Sequence, residues 1–412
     1  MPFVNRARSI AWFCAASVIA ACGSDSSTGP SNANKSPCTG GTRTGPLQTL
    51  GCGLDTTRFT SEIAVHGTTA YTSTWGTRRA RGNKINIWDV SQNVPLLVDS
   101  LIVPNASTTG DVAVSDDGKL LVVATEFTLG SIAIYDLADP RHPKFISQFT
   151  NDQTNPGVHT AEIGRVNGTL YAFLCIDPQG NSVPARIVIV DLSDPAAPRQ
   201  VFVKQIGAPY VHDTFLRDGL LFLALWNDGM QIWDLGGGGT GGSPSDPHVL
   251  GTVKTVGGEV HNVWWYHDAS GAKRYAFVGQ EGPGSVGSSS FGDIHVVDVS
   301  DLMNPREVAF YHVDGAGTHN FSVDEANGVL YAAYYNGGVR AIDVRGDLGT
   351  CAANQREAAN PGRCDLRLMG KELAVGLLDQ PRTVYVWGVQ YANNRVYASD
   401  MLNGIWTLQP AK

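Results

Sequence analysis

Short apolar runs, separated by Gly, Asn, Asp and Pro, recur along most of the chain. Runs such as GKLLVVA, GTLYAFLC, GLLFLALW and GVLYAAYY each open at a turn residue. Segments of four to eight apolar and β-branched residues between turn residues predict β-strands, and no such segment has the 3.6-residue period of an amphipathic helix. The pattern therefore predicts an all-β protein.

One phrase, RIVIVDLSDPAAPRQV (186–201), recurs with small changes. Its aspartate, Asp191, is one of six that occur at the same position of the phrase, spaced by 43 to 64 residues: Asp89, Asp136, Asp191, Asp234, Asp298 and Asp343. A seventh unit has Thr407 at this position. Such spacing indicates a repeated supersecondary unit. We expect each aspartate to accept amide hydrogens of the turn that follows it, and the alternative is a metal ligand in every unit.

Each unit contains four predicted strands, and seven units fit between residues 46 and 409. This arrangement predicts a seven-bladed β-propeller of four-stranded antiparallel blades over residues 45–412. The last unit ends too early for a fourth strand, whereas GPLQTLG (45–51) resembles the outer strands of other units. We therefore expect the N-terminal strand to close the ring, which would leave no exposed sheet edge there.

The phrases RIVIVDLSDPAAP, IAIYDLADPRHP and IHVVDVSDLMNP resemble the LVIVD-repeat family of bacterial and archaeal surface proteins. That family forms propellers, so the resemblance implies the same fold. It covers most of residues 60–408 and weakens in the last unit, where an insertion runs from 345 to 381.

The first 21 residues have two arginines and a short apolar stretch, which is typical of an export signal. The signal ends in IAACG, similar to the site at which bacterial lipoproteins are lipidated on cysteine, here Cys22. The alternative is an ordinary signal peptide. Residues 22–44 are then a lipidated cysteine and a flexible tether. We expect a lipoprotein of the cell envelope, at the outer membrane or cell surface, held in the membrane by lipid alone.

The formal net charge is −8, and it becomes −10 when Arg6 and Arg8 leave with the signal. An acidic balance argues against nucleic acid as a partner. We expect a monomer that binds a protein or a small molecule.

Two close cysteine pairs, Cys38/Cys52 and Cys351/Cys364, predict two disulfides in an oxidising compartment, with cross-pairing as the alternative.

The most specific chemical signal is a histidine that recurs at one position of the repeat. The residues that introduce the seven innermost strands are Ser61, Gly110, His159, His212, His261, His319 and Trp387. The residues that directly follow the second strands, on the same face of the propeller, include Glu126, Asp177 and Glu281. Imidazole and carboxylate together suit a transition metal, Zn, Fe or Cu. The alternative is a set of structural histidines beside a solvated acidic rim.

Three aromatic residues, Trp75, Trp226 and Tyr335, leave second strands toward that face and could stack on a ligand. Common catalytic motifs are absent from the sequence, so no catalytic or organic-cofactor residue is assigned. The sequence favours a binding module that acts through the channel-mouth face of the propeller. The alternative is a metal-dependent enzyme, such as an oxidoreductase, that uses the histidines.

Overall fold

The computed structural model describes residues 45–76, 80–127, 129–179, 183–206, 210–378 and 383–411. The strands in these ranges are β1 (Thr49–Leu54), β2 (Phe59–His66), β3 (Thr69–Trp75), β4 (Lys84–Asp89), β5 (Leu96–Ile102), β6 (Val112–Val114), β7 (Leu120–Thr125), β8 (Ser131–Asp136), β9 (Lys144–Phe149), β10 (Val158–Val166), β11 (Thr169–Ile176), β12 (Arg186–Asp191), β13 (Arg199–Gln205), β14 (Asp213–Arg217), β15 (Leu220–Ala224), β16 (Met230–Asp234), β17 (His248–Val253), β18 (Val260–Tyr266), β19 (Tyr275–Gln280), β20 (Ile294–Asp298), β21 (Arg306–Tyr311), β22 (Phe321–Asp324), β23 (Val329–Ala333), β24 (Val339–Asp343), β25 (Cys364–Asp365), β26 (Glu372–Gly376), β27 (Val386–Ala392), β28 (Arg395–Asp400) and β29 (Gly404–Leu408). A 3₁₀ turn, Ala353–Gln355, is the one helical element in these ranges. None of the described residues forms a helix with the length and apolar character needed to cross a membrane.

The strands form seven sheets, which are the blades of a β-propeller. In chain order the blades are β2–β5, β6–β9, β10–β13, β14–β17, β18–β21 with β25, β22–β24 with β26, and β27–β29 with β1. The innermost strand of each blade contacts that of the next, and β27 contacts β2, so the blades form a closed ring. The predicted seven-bladed, four-stranded antiparallel architecture is confirmed.

The N-terminal strand closes the ring as predicted. Strand β1 pairs antiparallel with β29, with Cys52 opposite Trp406. The pairing extends backwards through a hydrogen bond from the Leu47 amide to the Gln409 carbonyl, 3.0 Å long. The strand lies a few residues later than the predicted 45–51, because Gly45 and its neighbours form a turn before it.

The core lies between the blades. Val122 and Ile134 of the second blade pack against Leu174 and Val188 of the third, and all four are fully buried. Both faces of a blade are covered by its neighbours, so the middle strands are continuous apolar runs rather than alternating ones. This is why the sequence shows runs such as LYAFLC.

The repeated aspartates stabilise turns. Each accepts a hydrogen bond from the amide two residues later, with N–O distances of 2.7 to 3.0 Å. Asp234 also accepts from the Gly238 and Thr240 amides, and so it fixes the glycine-rich loop 236–242 that its composition predicts to be flexible. The repeated phrase is therefore structural.

Cys351 and Cys364 form the predicted disulfide. Cys22 and Cys38 lie outside the described residues, so lipidation and the Cys38–Cys52 bond stay predictions.

The insertion contains β25, which adds a parallel fifth strand to the outer edge of the fifth blade. Strand β26, inside the range predicted as insertion, is in fact the outer strand of the sixth blade.

Candidate functional site

The four repeated histidines meet at the channel mouth. His159 and His261 lie on innermost strands, and His212 and His319 lie one and two residues before theirs. Their rings contact one another in chain order. The ring centroids of His159 and His212 are 4.3 Å apart. The centroids are 4.1 Å apart in each of the next three pairs, which are His212/His261, His261/His319 and His319/Trp387. The repeat thus places one imidazole per blade in a continuous arc.

Several ring nitrogens in this arc are buried and lack a well-formed hydrogen bond to a described residue. His261 is 2% exposed, and neither of its ring nitrogens makes a well-formed hydrogen bond to a described residue. The same holds for Nδ1 of His212 and Nδ1 of His319. A purely structural histidine normally satisfies its polar atoms through neighbours. Buried ring nitrogens without a well-formed hydrogen bond are instead available to a bound ion or ligand.

The three predicted carboxylates approach these rings from the second strands. Nδ1 of His159 lies 3.5 Å from Oδ1 of Asp177 and 3.8 Å from Oε1 of Glu126. Oε2 of Glu281 lies 3.5 Å from Nε2 of His212 and 3.9 Å from Nε2 of His261. These side chains therefore form two triads that could each hold a metal ion, His212/His261/Glu281 and Glu126/His159/Asp177. His319 belongs to neither triad and packs between His261 and Trp387.

The two triads differ in protonation. Burial, with the neighbouring imidazoles, holds the pKa of His212, His261 and His319 well below the ordinary value, so these rings are neutral and keep a lone pair for a metal. Burial also opposes charge on His159, but the carboxylates of Asp177 and Glu126 outweigh it and raise the pKa of this ring. Burial raises the pKa of Glu126 to about 7.

Sequence analysis missed four further carboxyl groups, three of which line the same cavity as the histidines. They are Glu62, Asp111, Glu162 and Asp213; burial raises the pKa of each, that of Glu62 and of Glu162 to about 8. Three of them directly follow the residue that introduces an innermost strand. Their shared position in the repeat could therefore have been used to predict them. Asp111 also accepts the Ala161 amide at 2.8 Å, which links neighbouring blades.

The cavity among the histidines and carboxyl groups is small. Its volume is about 40 Å³, which is room for a few water-sized occupants. Pockets for organic ligands are typically about 300–1,000 Å³. Two larger open clefts, of about 480 and 610 Å³, lie at the opposite face around Lys273 and Arg199, away from the histidines. The described channel site is therefore sized for ions.

The predicted ligand-stacking aromatics have different environments. The Trp226 ring stacks on His212 with centroids 5.4 Å apart, and Trp75 hydrogen-bonds Glu126. Tyr335 is fully buried, and its hydroxyl donates to Glu281. A ligand cannot stack on Tyr335, because its neighbours already cover its ring; its contact orients a carboxylate of the site instead.

Comparison with known proteins supports the fold and leaves the family open. No protein-family model matches the chain, and no curated protein matches it. Among solved structures, the one titled "Structure of U3-55K" is 11% identical, has a TM-score of 0.57, and is aligned over 88% of this chain and 98% of its own. This similarity shows the fold, and a shared fold identifies neither a function nor a partner. Membership of the LVIVD-repeat family stays a prediction.

Proposed function

We propose that this protein is a cell-envelope β-propeller that binds a partner through its channel-mouth face, with a transition metal held by His212, His261 and Glu281. The observation that carries the proposal is that His212, His261 and Glu281 are all buried and bring one ligand atom each to within 4.8 Å of one another. Neutral imidazoles beside a carboxylate are ligands for Zn, Fe or Cu. The small cavity supports an ion as the occupant rather than an organic molecule.

A partner has apolar surface to contact around this mouth. Phe127 directly follows the ligand Glu126, and Phe291 packs over Gly282, beside Glu281. Both side chains are about half exposed, and Tyr210, 38% exposed, contacts Trp226. Exposed aromatic side chains around a polar centre are typical of binding surfaces. We propose a protein or small molecule with an apolar face as the partner, bound over the mouth rather than inside the channel.

The proposed location rests on the N-terminal sequence. The export signal, Cys22 and the polar tether together support a lipoprotein held at the outer membrane or cell surface by lipid. The closed ring leaves little sheet edge for self-association, which supports a monomer. The acidic net charge argues against a nucleic-acid partner.

The metal proposal predicts that the double variant His212→Ala/His261→Ala loses tight metal binding. The mature chain, purified without a polyhistidine tag, is titrated with Zn(II) or Cu(II) against a chromophoric chelator. Loss of a contact that merely orients a ligand costs about 10- to 100-fold in affinity, so removing two ligands should cost more than about 100-fold. Elemental analysis after desalting reports the retained metal.

The matched control is His142→Ala/His248→Ala, which removes two exposed histidines that lie away from the mouth. It should bind metal as tightly as the unmodified chain, and all three proteins should melt cooperatively. Equal metal affinity in the two double variants, or no tight binding in the unmodified protein, would contradict the proposal.

A metal-dependent enzyme is the second candidate, and Glu126 is the observation that favours it. Its buried carboxyl group lies 3.8 Å from Nδ1 of His159 and outside the proposed ligand set of His212, His261 and Glu281. Burial raises the pKa of this group to about 7, which suits general acid–base catalysis beside a metal. To distinguish a binding module from an enzyme, the metal-loaded protein is incubated with an excess of a ligand that it has been found to bind. A binding module returns the ligand unchanged by mass spectrometry, whereas an enzyme forms product, and Glu126→Gln should then lower product formation by about 100-fold or more. Equal turnover by Glu126→Gln would remove this carboxyl group from the chemistry.

A further inference from the structure

We propose that the channel mouth is a two-cation centre, in which the imidazole of His159 bridges an ion on His212, His261 and Glu281 to a second ion on Glu126 and Asp177. The first ion is the one in the proposed function, on which this inference rests. The second site, its ligand set and the bridge are additional.

The orientation of His159 is the first observation. Its Nδ1 faces the carboxylates of Asp177 and Glu126, whereas its Nε2 is hydrogen-bonded to Nε2 of His212 at 3.0 Å. One nitrogen of the ring therefore faces the carboxylates of one triad, and the other contacts a member of the second triad. Binding both ions would displace the ring protons, as ligand deprotonation does at other metal sites.

The spacing of the ligand atoms is the second observation. Zn–N and Zn–O bonds of about 2.0–2.2 Å place the ligand atoms of a tetrahedral ion about 3.4 Å apart. Around Glu281 the two imidazole nitrogens lie 3.5 and 3.9 Å from Oε2. Around Nδ1 of His159 the carboxylate oxygens lie 3.5 and 3.8 Å away. Both triads need only small side-chain movements to hold an ion.

The third observation is the charge in the channel. No Lys or Arg lines this cavity in the described part of the chain, although Glu62, Asp111, Glu126 and Asp213 line it. Buried carboxylates are normally paired, protonated or bound to metal. One ion on the histidine-rich triad does not neutralise Glu126 and Asp177, whereas a second ion beside them does.

The fourth observation is that the backbone makes room for these two carboxylates. A Cβ on Gly110 would lie 2.1 Å from Oε1 of Glu126, and a Cβ on Gly157 would lie 3.0 Å from Oδ2 of Asp177. Gly110 occupies the position that carries histidine in four other units. A side chain there would displace Glu126 from His159.

The donor sets also predict different ions. Three imidazoles, counting Nε2 of His159, and one carboxylate suit Cu or Zn. One imidazole and two carboxylates suit harder divalent ions such as Mn or Fe as well as Zn. Cu(II) provides the test probe, because two Cu(II) ions bridged by one imidazole are magnetically coupled.

The experiment compares copper stoichiometry and EPR signal in the mature, tag-free chain. We expect two Cu(II) per unmodified chain with most of the EPR intensity lost through coupling. The variant Glu126→Gln/Asp177→Asn should retain one Cu(II), with the full intensity of an isolated ion. The matched control Glu162→Gln/Asp213→Asn makes the same changes at channel carboxyl groups outside both triads, and it should retain two coupled ions.

Three outcomes would overturn the inference. One tightly bound ion that is unaffected by Glu126→Gln/Asp177→Asn would leave the proposed function intact and remove the second site. Two ions with uncoupled signals would remove the bridge. Loss of the second ion in the control variant as well would show that this ion depends on the overall negative charge of the channel rather than on the triad. Absence of copper and zinc from the unmodified chain would instead refute the proposed function itself.

Discussion

A chain shortened to begin at Asp55 should lose about 5 kcal/mol or more of its free energy of unfolding, because it lacks strand β1. The deletion removes Leu47, which is fully buried, and Cys52, which is 1% exposed, from the core cluster they share with Trp406. Loss of a large buried side chain alone costs about 2–5 kcal/mol. The deletion also leaves the backbone groups of β29 without their partner strand.

The measurement is the midpoint of chemical unfolding under reducing conditions, with a chain that begins at Gly45 as the control. That chain keeps β1 and lacks only Cys38 and the tether, so with the disulfides reduced it should unfold like the mature protein. If the shorter chain fails to fold, a synthetic peptide of residues 45–54 added in trans should restore cooperative unfolding by adding the missing strand. Equal midpoints for the two chains, or no effect of the peptide on an unfolded chain, would contradict closure of the ring by β1.

The variant His261→Leu should be more stable than the unmodified protein without metal and less stable with it. In metal-free protein, a buried polar atom that lacks a well-formed hydrogen bond costs about 1–3 kcal/mol, and leucine, which is of similar size, removes the ring nitrogens of His261. With Zn(II) at 100 times its dissociation constant, the unmodified protein gains about 2.7 kcal/mol, and the variant should gain almost none. The order of stability therefore reverses when metal is added.

The measurement is chemical unfolding in the presence of a chelator and again in the presence of excess Zn(II). His295→Leu is the matched control, since His295 is fully buried but its Nδ1 bonds Glu307 at 2.7 Å. That variant should be less stable than the unmodified protein under both conditions, because it removes one of the hydrogen bonds to the buried carboxylate of Glu307. A His261→Leu variant that is destabilised in the chelator would show that the imidazole has a structural role.

Much of the fold could be predicted from local patterns. Each blade repeats the same strand lengths, turn residues and aspartate, so the number of blades and the position of every innermost strand follow from counting along the chain. The hydrogen bond from Asp191 to the Ser193 amide is contained within one turn, and no other blade is needed to predict it. Closure by the N-terminal strand followed from the missing fourth strand of the last unit.

The insertion was harder, because its pairing partner is distant in the chain. Strand β25 adds to β21, with Cys364 beside Ala309, across more than fifty residues. Its two residues carry no periodic signal that would indicate a strand. Arg363, buried between Glu307 and Glu357, holds the segment through contacts that no local pattern contains.

The sequence by itself determined that histidines from four consecutive blades share one register, because the repeat assigns each of them the same position on an innermost strand. Only the tertiary structure decided how they combine. Whether Glu281 reaches His212 or Asp177 reaches His159 depends on blade spacing and side-chain orientation, since these residues come from different strands. The tertiary structure likewise buries Tyr335 behind its neighbours and turns the two nitrogens of His159 toward different triads, because packing between blades, not chain order, sets those directions.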